Sequence, residues 1–380
     1  MMTSALLLVG ANGSNGHLLR AVLADFAAEP SREHYGLTSL GVFDQDKMLH
    51  AQDVVVGGWD IRSPDRVAGL HPGATTLGLT ARHTDTLLGD EVEGRPWTTV
   101  LDGADLIAEE IKEFVIKAGC RRALVVNLSS PARPVEKEAG VTAVPGMLYA
   151  SSADVPSAYA YMFGAIRAGA HYVDFTPSPT LELQGLADAA AEAGVQIAGR
   201  DGSTGQTYLK LTIASALATR GLVIENWYST NVLGNRDGKV LEMPGVDRTK
   251  MHDKAFGLNS MSGLTSLNHR IDIRHMPALG DVKEAWDSVV FKDMFGNLGE
   301  LQIRWKALDT PLAVQALLDL TRIFLSSCDR RAAGLRTDLA FFFKNPIGGR
   351  PRSPEYLFSE LLSSNSDLLM ANYGRADLPW

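Results

Sequence analysis

A chain of 380 residues with 45% hydrophobic content can bury a large core and is long enough for two packed regions. Its formal net charge of -8 and pI near 5.6 argue against a nucleic-acid or anionic-membrane surface, so any phosphate it binds must meet a local cluster of cations. Cys120 and Cys328 stand far apart and in no metal-like spacing, and Ala5 to Val9 is too short for a signal segment or a membrane span, so a cytoplasmic protein is expected.

In chain order, Ala5 to Val9 reads as a buried strand and Ser14 to Ala28 as the helix after it. Val54 to Trp59 reads as a second strand. Ala104, Ile107, Ile111, Phe114 and Val115 recur at helical spacing, which predicts a sheet-covering helix from about 99 to 118. Ala123 to Asn127, Tyr172 to Phe175 and Val195 to Gly199 continue the strands, with a helix expected from about 181 to 194. This alternation predicts an α/β fold, a Rossmann-like doubly wound parallel sheet. After about residue 220 strands follow one another: Val223 to Val232, Arg270 to His275 and Leu301 to Leu308. In the last of these Leu301, Ile303, Trp305 and Ala307 alternate with Gln302, Arg304 and Lys306, as a sheet with one wet face requires. Thr310, Pro311 and the apolar run through Phe324 predict a helix with Pro311 at its first position and Asp309 as a candidate N-cap. Pattern alone leaves open whether the last stretch returns to the first sheet or forms a cap. The resulting expectation is a dinucleotide-binding region over 1–204, completed by 333–380, with an inserted α+β catalytic and oligomerisation region over 205–332.

Two loops carry chemistry. Gly10-Ala11-Asn12-Gly13-Ser14-Asn15-Gly16 joins the first strand to a helix, where backbone N–H groups and the helix dipole suit a pyrophosphate; the same spacing also serves a plain tight turn. Asp44 and Asp60 compete to hold the ribose, and Asp60, at a convincing strand end, is preferred. Gly199-Arg200-Asp201-Gly202-Ser203-Thr204-Gly205-Gln206-Thr207 is the second such loop. Gln206 stands where an ATPase P-loop needs lysine, but Thr204, Gly205, Gln206 and Thr207 open a helix and could hold a phosphate monoester. Lys250 and Lys254, four apart, share a face if helical, and Lys210, Lys283 and Lys344 are unremarkable singly.

These signals coincide with motifs of the inositol-3-phosphate synthase family. The loop from Gly199 to Lys210 resembles the family's Gly-Asp-Asp-(x)-Lys-Ser-Gly-Gln-Thr-Lys-Leu-Lys. Asn231-Val232-Leu233-Gly234-Asn235-Arg236-Asp237-Gly238 is similar to Asn-His-Leu-Gly-Asn-Asn-Asp-Gly. Lys250 and Lys254 fall at the family's paired lysines, Gly280-Asp281-Val282-Lys283 resembles Gly-Asp-Ser-Lys, and Phe343-Lys344-Asn345-Pro346 resembles Leu-Lys-Ala-Pro. Asp309 matches the acid of Glu-Asp-Ser, and Gly58-Trp59-Asp60-Ile61 resembles Gly-Trp-Asp-Ile, supporting Asp60.

The resemblance implies a redox-neutral, NAD-dependent cyclisation of a hexose 6-phosphate through oxidation at C5, enolisation at C6, intramolecular aldol closure and re-reduction. It implies Lys250 and Lys344 at the reacting oxygens, Lys254 and Lys210 at the phosphate with Thr204, Gly205, Gln206, Thr207, Asn235 and Arg236, and Lys283 at the C5 oxygen. Asp201, Asp237 and Asp309 would orient these cations or hold a metal ion. Gly10, Asn12, Gly13, Ser14, Asn15, Gly16, Asp60, Ile61, Ser130, Asp201 and Asp281 would contact NAD, and a homotetramer is implied. Two segments depart from the family: Asn127 to Arg133 replaces Trp-Thr-Ala-Asn-Thr-Glu-Arg, and Asp174-Phe175-Thr176-Pro177-Ser178-Pro179-Thr180 replaces Asn-Gly-Ser-Pro-Gln-Asn-Thr. Glucose 6-phosphate closing to inositol 3-phosphate is expected slightly ahead of fructose 6-phosphate closing to a five-membered cyclitol phosphate. A plain NAD-linked dehydrogenase and a non-catalytic sensor are the readings from other classes.

Overall fold

The computed structural model describes residues 3–33, 36–60, 97–130, 142–234, 268–349, 352–371 and 373. Six parallel strands form the first sheet in the order β10-β5-β4-β3-β1-β2, where β1 is Ser4–Val9, β2 Val54–Trp59, β3 Arg122–Asn127, β4 His171–Asp174, β5 Gln196–Gly199 and β10 Gly334–Leu335. β1 is buried along its whole length, as a strand covered on both faces must be. Leu6, Leu8, Leu124 and Val126 turn to one face, against helices α1 (Ser14–Ala28), α6 (Asp309–Ser327) and α7 (Pro354–Ser364). Ala5, Leu7, Val9 and Val125 turn to the other, against α2 (Val100–Lys117) and α3 (Ala158–Ala168). α2 starts where Thr99 and Asp102 form a reciprocal capping box, and its apolar residues lie on the sheet side as their spacing predicts.

The helix expected over 181–194 is shorter: α4 runs from Leu186 to Glu192 behind a 3-10 turn at Pro179–Glu182. Gly185, in the left-handed region at φ 80, separates the two. The C-terminal stretch returns to the first sheet, since Gly334 and Leu335 pair in parallel with Gln196 and Ile197 of β5, and Leu339, Phe342 and Phe358 join the core beneath β1.

α5 (Gln206–Thr219) leads into a second, mixed sheet ordered β7-β6-β8-β9. β6 is Val223–Leu233, β7 Asn268–His275, β8 Val282–Lys292 and β9 Leu298–Leu308. β6 pairs in parallel with β7 and antiparallel with β8, which pairs antiparallel with β9. One face packs Trp227, Ile224 and Val289 against Leu211 and Ala214 of α5. β7 and β9 are the edges, and Leu298, Leu301 and Leu308 are exposed on β9. α6 begins at Asp309, so Pro311 is its third residue, and the N-cap is Leu308. Asp309 is therefore the first residue of the helix and not its cap, and its carboxylate is directed elsewhere.

Candidate active site at the carboxyl edge of the first sheet

Strand register lines up the ends of five strands in one row: Trp59, Val9, Asn127, Asp174 and Gly199 are successive partners from β2 to β5. A loop leaves each of them on the same side, the carboxyl edge where parallel sheets bind ligands. The strand order reverses direction between β1 and β3, and there the two loops touch: a Cβ on Gly10 would lie 3.1 Å from the Leu128 backbone.

The first glycine loop is tied to β2, with Gly10 N and Ala11 N donating to Trp59 O at 2.8 and 3.0 Å. Gly10 sits at φ +90, and a Cβ on Gly16 would stand 2.6 Å from Gly10 O, so side chains at either place would open the turn. α1 has no side-chain cap, and its first intrahelical bond is His17 N to Gly13 O at 2.8 Å. The N–H groups of Ser14, Asn15 and Gly16 thus precede any intrahelical partner, and this close-approaching, glycine-built helix start fits a pyrophosphate. Asp60 reaches the loop, accepting from Asn12 N at 2.8 Å. Its competitor Asp44 instead stabilises a short turn, accepting from Asp46 N at 3.2 Å and pairing with Lys47 at 3.0 Å. Ser130 lies exposed after β3, beside Ser129, whose hydroxyl donates to Asn127 Oδ1 at 2.7 Å.

The second loop, from β5 to α5, is where three separated segments meet. Asp201 takes φ 60, its N–H donates to Thr176 O at 2.9 Å, and its carbonyl accepts from Lys344 N at 2.7 Å. The Lys344 ammonium then lies 2.8 Å from Asp201 Oδ1, a pair that is mostly buried. On the other flank Thr204 donates to Asp309 Oδ1 at 3.4 Å, and Lys283 Nζ stands 3.5 Å from that same oxygen. Asp281 secures this corner: it accepts from Thr310 Oγ1 at 2.7 Å, and its carbonyl accepts from Asp309 N at 3.2 Å. Gly205, at φ +133 and close under the Trp305 ring, opens α5. Beneath the loop Lys210 is buried, pairs with Asp287 at 2.9 Å, and donates to Ser229. Burial, opposed by Asp287 and reinforced by nearby Lys283, pulls the Lys210 ammonium below its ordinary pKa. Burial alone would raise Asp287, but the charge of Lys210 and bonds from Ser229 and Trp227 hold it below the carboxylate range.

Lys283, Lys344, Lys210, Asp201, Asp309, Asp281 and Thr204 thus gather around one strand-to-helix loop. Ile61, Asn235, Arg236, Asp237, Lys250 and Lys254 lie outside the described residues. Among the described residues no group of three His, Cys, Asp or Glu side chains is arranged to hold a metal ion. Three polar groups had no role from sequence, although Asn231 and Asp174 fall in segments already compared with the family. Asp287 and Asn231 sit on the covered face of the second sheet, where alternation along β6 and β8 marks the positions as internal. Among the described residues, both side-chain polar atoms of Asn231 are buried without a hydrogen-bond partner, as is Gln206 Nε2. A buried polar group left unmet costs about 1–3 kcal/mol. The third is Asp174, fully buried in the row of strand ends, where burial, opposed by bonds from Thr176, Thr180 and Asn127, pushes its carboxyl up to about 6.

An uncapped glycine loop at the switch point and a second, inserted sheet define a Rossmann-type α/β protein whose candidate site draws residues from both sheets. Residues 205–310 match the myo-inositol-1-phosphate synthase family. Inositol-3-phosphate synthase 1 of Bacteroides thetaiotaomicron is 27% identical over 346 residues, which cover 81% of this chain and 79% of the relative. The Drosophila melanogaster inositol-3-phosphate synthase is 26% identical over 75% of this chain, which spans only 57% of that protein. The crystal structure of the Caenorhabditis elegans inositol-3-phosphate synthase superposes with a TM-score of 0.81 at 19% identity, covering 97% of this chain and 86% of that one, and so shares the fold. The chain is thus similar to inositol-3-phosphate synthases over most of its length, with the family match itself confined to residues 205–310.

Proposed function

We propose that the protein is an NAD-dependent enzyme that closes a hexose 6-phosphate into a carbocycle without net oxidation, taking glucose 6-phosphate to inositol 3-phosphate. The observation that carries this reading is the convergence of Lys344–Asp201 and Lys283–Asp309 on the two flanks of one glycine-rich loop. A plain dehydrogenase needs one proton acceptor. A cyclase must also stabilise an enolate and an aldol alkoxide, and pre-placed cations at several oxygens suit that task.

In this reading Gly10, Asn12, Gly13, Ser14, Asn15, Gly16, Asp60, Ile61, Ser130, Asp201 and Asp281 hold NAD, which supplies the hydride acceptor and donor for C5. The backbone and hydroxyls of Thr204 to Thr207, with Asn235, Arg236 and Lys254, hold the phosphate at the start of α5. Lys283 faces the C5 oxygen as a cation and relays the hydroxyl proton, giving one of its own to Asp309 as it takes that of C5. Lys344, oriented by Asp201, and Lys250 face the oxygens on which negative charge gathers as C6 loses its proton and as the ring closes. Lys210 is already neutralised by Asp287, and acts behind Lys283 as a fixed charge on the phosphate side. Asp237 completes the set of carboxylates that orient these cations. The reading extends to a cytoplasmic homotetramer, and the exposed β9 edge, with Leu298, Leu301 and Leu308, offers a surface for subunit contact.

The test is to incubate the protein with NAD and either glucose 6-phosphate or fructose 6-phosphate, follow products by NMR and record absorbance of reduced cofactor. A six-membered ring from glucose 6-phosphate without accumulating NADH is expected. A five-membered ring from fructose 6-phosphate would move the substrate, and NADH rising in step with product would replace the cyclase by a dehydrogenase.

A further inference from the structure

Asp174 lies outside the residues to which a role has been given, yet it stands in the row of strand ends between Asn127 and Gly199. Its carboxylate has no exposed surface. Oδ1 accepts from Thr176 N at 2.9 Å, Thr176 Oγ1 at 2.7 Å and Asn127 Nδ2 at 3.3 Å, and Oδ2 accepts from Thr180 Oγ1. Each of these donors leads to a different part of the cleft. Asn127 Oδ1 accepts from both the N–H and the hydroxyl of Ser129, at 3.1 and 2.7 Å, and so sets the loop after β3 that leads to Ser130. Thr176, fixed by Asp174 through two bonds, offers its carbonyl to Asp201 N at 2.9 Å, and Asp201 holds Lys344. Thr180 opens the short turn whose Glu182 pairs with Arg200, the residue before Asp201.

We infer that Asp174 is a positioning residue that sets the β3 loop on the cofactor side and the Asp201–Lys344 pair on the substrate side in one fixed relation. A hydrophobic residue would serve β4 as well if Asp174 only filled the core, and burying a carboxylate that pairs with no cation among the described residues is costly. The return is geometric: a single acceptor centre gathers donors from the strand ends β3 and β4 and, through Thr176, from β5. This deepens the cyclisation reading and rests on it for its meaning in turnover, but the geometry can be read without turnover.

Two substitutions separate position from packing. Asn can reproduce the arrangement, with Oδ1 accepting the same three bonds and Nδ2 donating to Thr180 Oγ1, whereas Ala leaves the donors unmet. Reductive methylation followed by peptide mass mapping reads the Lys344 ammonium directly, with exposed Lys117 as the internal reference. In Asp174→Ala the Lys344 rate should rise by about tenfold relative to Lys117, and NAD affinity by calorimetry should fall by a similar factor, as loss of a buried hydrogen-bonded centre implies. Asp174→Asn should stay within about twofold of the parent on both measures, because its bonds persist. Unchanged Lys344 labelling in a folded Asp174→Ala, or an Asn variant as perturbed as the Ala one, overturns the inference. If Asp174→Ala does not fold, Thr180→Val, which removes one bond of the set, must shift Lys344 labelling in the same direction or the inference falls. Labelling that behaves as stated in a protein that converts neither sugar phosphate leaves the inference standing and removes the cyclisation reading; conversion with unmoved labelling does the reverse.

Discussion

The two sheets solve different problems. The first is covered on both faces, so β1 is buried at every position and its end can be held in one row with the ends of its neighbours. The second is covered on one face by α5, and its edge strand β9 is exposed or half-exposed throughout. Rigid strand ends on one side and a thinner, one-sided sheet on the other meet at the Gly199–Thr207 loop, and there the charged groups concentrate. The loop and Asp201 come from the first sheet, Lys283 and Asp281 from β8 and the turn before it, and Asp309 from the helix that follows β9. Neither sheet supplies all of these charged groups: Lys344–Asp201 stands on the side of the first sheet and Lys283–Asp309 on the side of the second.

The largest effect should come from removing a cation at that join. Lys344→Met and Lys283→Met are each expected to lower kcat by about 10²–10³-fold, the range for loss of one group that stabilises a developing oxyanion. NAD affinity, measured by calorimetry, should stay within a few-fold. A variant with unaltered kcat would break the claim that both sides of the join contribute.

The contrast in burial predicts a contrast in stability. Leu8→Ala in the first sheet should cost about 2–5 kcal/mol in denaturant unfolding, because Leu8 is fully enclosed and its neighbours cannot collapse into the space. Leu301→Ala on β9 should stay within about 0.5 kcal/mol for the isolated subunit, as exposed positions do. Equal losses would mean that β9 is covered in solution, and analytical ultracentrifugation would then show the assembly.

A smaller effect sharpens the account of the buried acids. Asp174 and Asp319 are both pushed up by burial from 3.8 to about 6. Because the folded value lies above the unfolded one, the folded protein holds a proton that the unfolded chain releases between those pH values, so stability rises as pH falls through that window and the ionised form is the costly one above it. The two should nonetheless differ on amide substitution. Asp319 accepts from Leu37 N on one oxygen and from Thr38 N on the other, at 2.9 and 2.7 Å, so an amide nitrogen must face an N–H group. Asp319→Asn is therefore expected to lose about 1–3 kcal/mol near neutral pH. Asp174→Asn should keep or raise the melting temperature near pH 7.5, with the gain fading toward pH 4. Thermal melts across that range distinguish the two.

Much of this was legible in the sequence because it is local. The strand, glycine turn and helix of residues 4–28, and the periodicity that buries α2, require only neighbours in the chain. The exchange at Asp309 was not legible: an acid before Thr310-Pro311 reads as a cap, and only the third dimension shows its carboxylate turned to Lys283 and Thr204. The short α4 was overread because apolar spacing runs on through Gly185, whose backbone conformation stops the helix. Asp287 carried no signal and Asp174 stood out only as part of a segment departing from the family motif, since one acid in an apolar strand has no period and its worth depends on donors brought from distant segments. The gathering of lysines was visible only through resemblance, because Lys210, Lys283 and Lys344 are ordinary one at a time.

The central claim is that oxidation, ring closure and reduction occur on one bound sugar phosphate. The direct measurement uses glucose 6-phosphate carrying deuterium at C5, with product examined by NMR and mass spectrometry. The account predicts that the ring product retains the deuterium at the former C5 while no reduced cofactor accumulates; loss of the label to solvent, or its appearance in released NADH matching product mole for mole, would contradict it.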